Sequence, residues 1–198
     1  SKEEFNEITK IDFDTVIFDR LGKINNKFIQ KLKKLKKKVI FFDDKSKNKF
    51  LCDLSFNPLI FDKIYNKRNH MSGYDYNILP SELIKTKNKQ ITKINRVFLS
   101  FGGYDNKNLL KRFKKIFSKQ KNYKILLPKN NKKSNSSNTS NFYYKMKSSD
   151  LVLCAGGLTM FDAINLGKIV IAVDQYYHQK KNINKLKKLG LVEYFNYK

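Results

Sequence analysis

An α/β protein built on parallel sheets is predicted by three observations. Short apolar runs with no polar interruption recur along the chain, as at Val152 to Ala155, and such runs suit strands covered on both faces. Helical patterns with a Lys-rich wet face alternate with those runs. Two of the runs end in a glycine pair that opens a helix, Gly102-Gly103 and Gly156-Gly157.

The elements follow in order. Thr15 to Phe18 reads as a strand ending at Asp19-Arg20. Ile24 to Leu35 is an amphipathic helix with Ile24, Phe28, Ile29, Leu32 and Leu35 on one face. Val39 to Phe42 is the next strand and ends at Asp43-Asp44. Phe50 to Asp53 and Tyr76 to Leu79 suggest further short strands, with a loop at Asn57-Pro58 between them. His70 is expected in a loop, facing solvent. Lys85 to Lys93 loses the apolar period and reads as a linker, so two domains are expected, 1–88 and 93–198.

The second domain opens with a strand at Val97 to Leu99 and turns at Gly102-Gly103. Asn106 to Phe117 is helical, with Leu109, Leu110, Phe113, Ile116 and Phe117 opposite Lys107, Lys111, Lys114 and Lys115. Lys124 to Leu127 is a strand, and the Lys/Asn/Ser stretch Lys129 to Asn141 reads as an exposed, mobile loop. After the strand at Val152 and the turn at Gly156-Gly157, a helix runs from Thr159 through Phe161, Ile164 and Leu166 and ends at Gly167. Ile169 to Val173 returns as a strand, Asp174 to Gln179 is a polar loop, and a short helix at Ile183 to Leu189 precedes a strand-like tail.

Composition excludes several classes. The 198 residues, 40% hydrophobic with 16 Phe and 11 Tyr, hold enough apolar surface for a core. No apolar run reaches the length of a membrane span, and the charged start SKEEFNEITK carries no signal-peptide pattern. Cys52 and Cys154 lie in apolar runs and read as reduced core residues of a cytosolic protein. With two His and two scattered Cys, no metal-ligand spacing exists, and no metal or cofactor is expected. The net charge of +25 would attract nucleic acid, yet Arg occurs only at 20, 68, 96 and 112. Lys, Asn, Ile, Phe and Tyr are inflated together, as an AT-rich genome does to surface positions. No base-reading motif accompanies the charge, so no specific nucleic-acid partner is expected.

A glycine turn ahead of a helix brings unpaired amides and the positive end of the dipole towards whatever lies above the sheet. Phosphate fits there. Tight strand-to-helix packing is the other use of the same two glycines. Neither a dinucleotide fingerprint nor a P-loop is present.

GGLTMFDAINLG followed by HQKKN resembles the nucleotide-binding half of GT-B-type enzymes. The resemblance is nearest to the UDP-sugar hydrolases of pseudaminic acid biosynthesis and to spore-coat polysaccharide proteins. The N-acetylglucosaminyltransferase acting on peptidoglycan precursors is a more distant likeness. VFLSFGGYDNKNLL, KKVIFFDD and GYDYNILPSEL fit the same group in the right order over residues 13–195. The implied fold is GT-B-like, two Rossmann-like parallel-sheet domains with the first incomplete, because the resemblance begins near residue 13.

The resemblance implies a nucleotide site at Gly102, Gly103, Gly156, Gly157, Leu158, Thr159, Asp162, His178, Gln179 and Asn182. Asp162 stands where the family usually has Glu to accept bonds from ribose hydroxyls, and it is shorter by roughly 1.5 Å. Favouring the helix dipole is its alternative role. His178, at the family's HQ position, reads as a phosphate contact or a tuned general base. The implied function is cytoplasmic hydrolysis of a UDP-linked amino sugar in surface-glycan biosynthesis. A GT-B glycosyltransferase and a non-catalytic nucleotide-sugar-binding module are the alternatives. The catalytic residues are unassigned, and the isolated chain is expected to turn over slowly or not at all.

Overall fold

Apolar runs become strands in two separate parallel sheets. The computed structural model describes residues 2–20, 24–44, 46–58, 68–84, 90–103, 105–128 and 135–197. Chain contacts divide it into one unit ending at Ile78 and another beginning at Leu79.

The first unit contains α1 (Lys2–Thr9), β1 (Thr15–Asp19), α2 (Asn26–Lys34), β2 (Lys38–Phe42), β3 (Leu54–Asn57) and β4 (His70–Ser72). Its strands pair in chain order, all parallel. Asn25 caps α2 by accepting from the Lys27 amide at 2.9 Å, which places Phe28, Ile29 and Leu32 against the sheet. Phe18, Phe28 and Phe41 pack edge-on at 5.4 to 5.8 Å in that core. Leu35, expected on the buried face, is 51% exposed because the helix has already turned at its C-cap.

Two expected strands are displaced. Lys47–Phe50 is a 3-10 turn and the strand follows it as β3, where the inward residues are polar Ser55 and Asn57. Tyr74–Tyr76 is also a 3-10 turn, and the strand before it is β4. His70 is therefore not a solvent-facing loop residue: it is fully buried on β4, with Nδ1 hydrogen-bonded to the Ser55 hydroxyl and Phe50 edge-on at 5.5 Å. Replacing His70 by Ala removes that ring and strands a buried hydroxyl. A loss of about 2 to 4 kcal/mol in urea unfolding is the expected result.

The second unit contains α3 (Ser81–Ile84), β5 (Arg96–Ser100), α4 (Leu109–Ser118), β6 (Lys124–Leu126), α5 (Asn135–Ser148), β7 (Leu151–Ala155), α6 (Leu158–Asn165), β8 (Ile169–Val173), α7 (Tyr177–Lys188) and β9 (Glu193–Tyr194). The strands stand in the order β6-β5-β7-β8-β9, all parallel. Every residue of β7 is buried, as its unbroken apolar run required of a central strand. Met160, Phe161 and Ala163 of α6 and Ile183 and Leu186 of α7 are buried too. Gly167, at φ 61°, ends α6 as expected.

Three expectations need correction here. Residues 135–141 of the expected loop belong to helix α5, while 129–134 lie outside the described residues. Helix α7 begins at Tyr177, so His178 and Gln179 are in its first turn and the loop is only 174–176. Ile116 is 51% exposed, since only Leu109 and Phe113 of α4 reach full burial. The expected linker agrees where it is described: residues 90–93 form neither helix nor strand, and 85–89 lie outside the described residues.

Cys52 and Cys154 are both buried and free of disulfide. Burial raises both thiols, Cys52 to about 11, so neither is a thiolate at neutral pH. Among the described residues no group of three His, Cys, Asp or Glu could hold a metal ion, and no helix is long and apolar enough to cross a membrane.

Candidate functional site

Strand order fixes where a ligand could sit in the second unit. β6 and β7 lie on opposite sides of β5, so successive connections leave the sheet in opposite directions. A crevice forms at such a reversal, beyond the carboxyl ends of the two central strands. Ser100 pairs with Cys154 and Ala155 with Val173, so the turns after β5, β7 and β8 stand level at that edge. Both glycine pairs are there, one on each side of the reversal.

The two pairs differ in what they offer. Gly102 has φ +81°, a conformation L side chains rarely adopt, and a Cβ placed on Gly102 or Gly103 would meet nothing within 4 Å. The helix that follows is already capped, however. Asp105 accepts from the Leu109 and Leu110 amides, each at 2.8 Å, so a carboxylate of the chain itself neutralises the amino end of α4.

The second pair leads into an open helix end. Gly157 caps α6 with no side-chain acceptor, leaving the first-turn amides of Leu158 and Thr159 available. A Cβ on Gly157 would meet nothing within 4 Å. Gly156 is a packing residue: a Cβ there would lie 2.8 Å from the Ile183 side chain and 3.0 Å from Gln179 Cβ. It brings α7 against the turn. Helix α7 likewise starts without a side-chain cap from Tyr176. Two uncapped helix ends thus follow neighbouring strands, and their dipoles add at one edge.

Polar bonds across the loops hold this edge together. Gln175 Nε2 donates to Phe101 O at 2.8 Å, and Asn106 Nδ2 donates to the Tyr176 hydroxyl at 2.7 Å. Lys107 Nζ donates to Asp174 O at 3.1 Å, with the Asp174 carboxylate 3.9 Å away. Tyr194 donates to that carboxylate at 2.5 Å, and burial together with this bond pushes its hydroxyl up to about 12. The loop after β5 is thereby tied to the loop after β8, across the end of β7.

The remaining expected site residues fall into two groups. Gln179 Oε1 accepts from the Gln175 amide at 2.9 Å, bracing the loop, and the His178 ring stacks on Tyr176 with centroids 5.7 Å apart. Asp162 and Asn182 are buried, 6% and 1% exposed. Asp162 accepts a bond from the Tyr143 hydroxyl at 3.3 Å, and burial raises its carboxyl to about 6. Among the described residues neither polar atom of the Asn182 side chain has a hydrogen-bond partner, a costly arrangement for a buried amide. Tyr143, Asp105, Asn106, Lys107 and Gln175 bond at or beside this edge but are not among the expected site residues, although all except Tyr143 lie in the quoted motif or in the expected polar loop. Asp105 alone carries a legible signal, an acceptor just ahead of a helical pattern.

A cavity of about 500 Å³ lies at the opposite edge, among the amino ends of β5, β7 and β8. Asp150 and Lys168 in its lining are satisfied within the chain. Asp150 accepts from the Asn95 and Arg96 amides at 2.9 and 2.8 Å, and Lys168 Nζ donates to the carbonyls of Lys147 and Ser149 at 2.7 and 2.8 Å. The carboxyl edge, with its open amides, is the better candidate.

No protein-family profile matches the sequence. An uncharacterized protein of Methanocaldococcus jannaschii is 29% identical over 209 aligned positions, covering 88% of this chain and 43% of that protein. MurG of Acinetobacter baumannii superposes with a TM-score of 0.61 at 13% identity, covering 98% of this chain and 63% of its own. SsfS6, a glycosyltransferase of Streptomyces sp. SF2575, gives 0.54 at 13% identity, covering 98% and 60%. The chain spans less than two thirds of each of these proteins. Its fold is α/β and GT-B-like.

Proposed function

We propose that this chain binds the nucleotide of a UDP-linked amino sugar and belongs to a hydrolase of surface-glycan biosynthesis. One observation carries the reading: an uncapped glycine turn and helix end at the sheet reversal, on the helix that carries the buried carboxyl of Asp162 and next to the helix that carries Asn182, a buried amide with no hydrogen-bond partner among the described residues. In this reading the amides of Leu158 and Thr159 hold a phosphate, and Gly157 lets it approach. Asp162 takes ribose hydroxyls, and Asn182 and His178 face the ligand from α7. The same amides would stabilise charge growing on the leaving diphosphate as the glycosyl bond breaks. Gly102 and Gly103 would border the ligand rather than hold a phosphate, since Asp105 already occupies the adjacent helix end.

Fold likeness to the glycosyltransferase SsfS6 supports transfer to a sugar acceptor as the second reading. UDP release from a UDP-N-acetyl sugar without any acceptor separates hydrolysis from transfer. This isolated chain is expected to bind and release little or nothing, so turnover near the usual ~10 per second would exclude the non-catalytic binding module.

Calorimetry at moderate salt tests the binding itself. Uridine diphosphate is expected to bind, while single-stranded DNA shows only weak attachment that fades as salt rises. Tight DNA binding that survives salt, with no heat from uridine diphosphate, would overturn the reading.

A further inference from the structure

At the amino-terminal edge of the first sheet, residues 9–14 and 34–38 lie side by side. The Lys38 amide donates to Asp14 O at 2.8 Å, and Thr15 pairs with Lys38. α2 closes there in a Schellman turn: Lys37 N–H reaches Leu32 O at 3.0 Å, Lys36 N–H reaches Lys33 O at 2.9 Å, and Lys36 has φ 58°. The turn leaves Leu35 51% exposed, and Ile11 is 66% exposed. A cavity of about 330 Å³ is bordered by Ile11, Phe13, Leu35, Lys10 and Lys37, with Thr9 and Asp12 completing its rim.

Charge is concentrated at the same place. Residues 31–38 include lysines at 31, 33, 34, 36, 37 and 38. Lys33 stands 3.5 Å from Asp53, Lys37 3.9 Å from Asp12, and Lys10 2.6 Å from Glu7. Lys34, Lys36 and Lys38 are exposed, and among the described residues none of them forms an ion pair with a carboxylate.

We propose that this edge of the first unit docks on an anionic lipid surface. Lys34, Lys36 and Lys38 lie among the headgroups, while Ile11 and Leu35 enter the interface. Exposed aliphatic side chains inside a lysine collar combine the two attractions that reversible membrane binders use, apolar burial and charge. Nucleic acid fits less well. The patch has neither Arg for bidentate base contacts nor an exposed aromatic ring for stacking.

Sedimentation with phosphatidylcholine vesicles, with and without phosphatidylserine, is the test. The full chain should bind only the phosphatidylserine vesicles, and less as salt rises. Lys34→Glu, Lys36→Glu and Lys38→Glu together should weaken binding on the order of a hundredfold, since each lysine near the surface contributes about a factor of five to ten. Ile11→Ser with Leu35→Ser should weaken it several-fold and leave the salt dependence in place. These side chains are exposed, so unchanged circular dichroism and unchanged uridine diphosphate response serve as controls. The proposal is overturned if wild type ignores phosphatidylserine vesicles, binds neutral ones equally, or if the triple variant binds as wild type does. Displacement from the vesicles by a trace of oligonucleotide would assign the patch to nucleic acid instead.

Discussion

Gly157→Val is expected to weaken uridine diphosphate binding by a hundredfold or more while the chain stays folded. The backbone at Gly157 has φ −110° and ψ −158°, an extended conformation that valine adopts readily. Its Cβ would meet nothing within 4 Å in the chain, so no folding penalty from crowding arises. The branched side chain would instead stand in the space where a phosphate must come within about 3 Å of the following amides. Losing two charge-assisted hydrogen bonds, each about 1.5 to 3 kcal/mol, corresponds to roughly two to four orders of magnitude in affinity.

Gly156 supplies the internal contrast. There a Cβ would sit 2.8 Å from Ile183, a buried residue of α7, so Gly156→Ala should cost about 1 to 3 kcal/mol of stability through overpacking. Adjacent glycines are thus expected to separate, one failing in calorimetry and the other in urea unfolding. A folded Gly157→Val chain with undiminished affinity would reduce the turn to a packing device.

That contrast also marks the limit of the sequence. GG after an apolar run identified the turn, but which glycine packs and which stays open depends on Ile183, some 27 positions away. The strands of the second unit were legible because β7, β8 and the middle of β5 are central, unbroken apolar runs. In the first unit β3 hides its meaning: Leu54 and Phe56 are half-buried, while Ser55 and Asn57 point inward and bond with His70 and the Asp44 carbonyl. Hydrophobic patterning reads such a strand backwards, and β4, with three residues, is too short for any period. Helix α5 was missed for another reason. Asn and Ser favour turns locally, yet Met146 at its far end is fully buried, and packing overrides propensity. At the site, the cap from Asp105 is local and legible, but the ties from Gln175 and Lys107 join residues distant in sequence, so spacing alone could not reveal those.

Asp162→Asn is expected to stabilise the free chain and impair its binding of ribonucleotide. The Asp162 carboxyl has an ordinary value of 3.8 and is raised to about 6 in the fold, because burial penalises its charge more than the Tyr143 hydrogen bond favours it. Between those values the folded chain holds a proton that the unfolded chain has released. Stability therefore falls as pH rises from about 4 to about 6, and the full deficit persists above that. Its size is at most roughly 3 kcal/mol, the free energy of a change of about two pKa units. Asparagine keeps the shape without the charge. The variant should be about 1 to 3 kcal/mol more stable than wild type at neutral pH, with the difference shrinking towards pH 4.

Such a cost calls for an occupant. If ribose hydroxyls donate to Asp162, ligand binding supplies the hydrogen bonds that the free fold lacks, and wild type should prefer uridine diphosphate over its 2′-deoxy form about tenfold. Asp162→Asn should erase much of that preference. Urea unfolding across pH and paired calorimetry with the two nucleotides measure the halves independently. Loss of the pH-dependent deficit with the 2′-hydroxyl preference intact would leave Asp162 a buried acid of α6 and move ribose recognition to another residue.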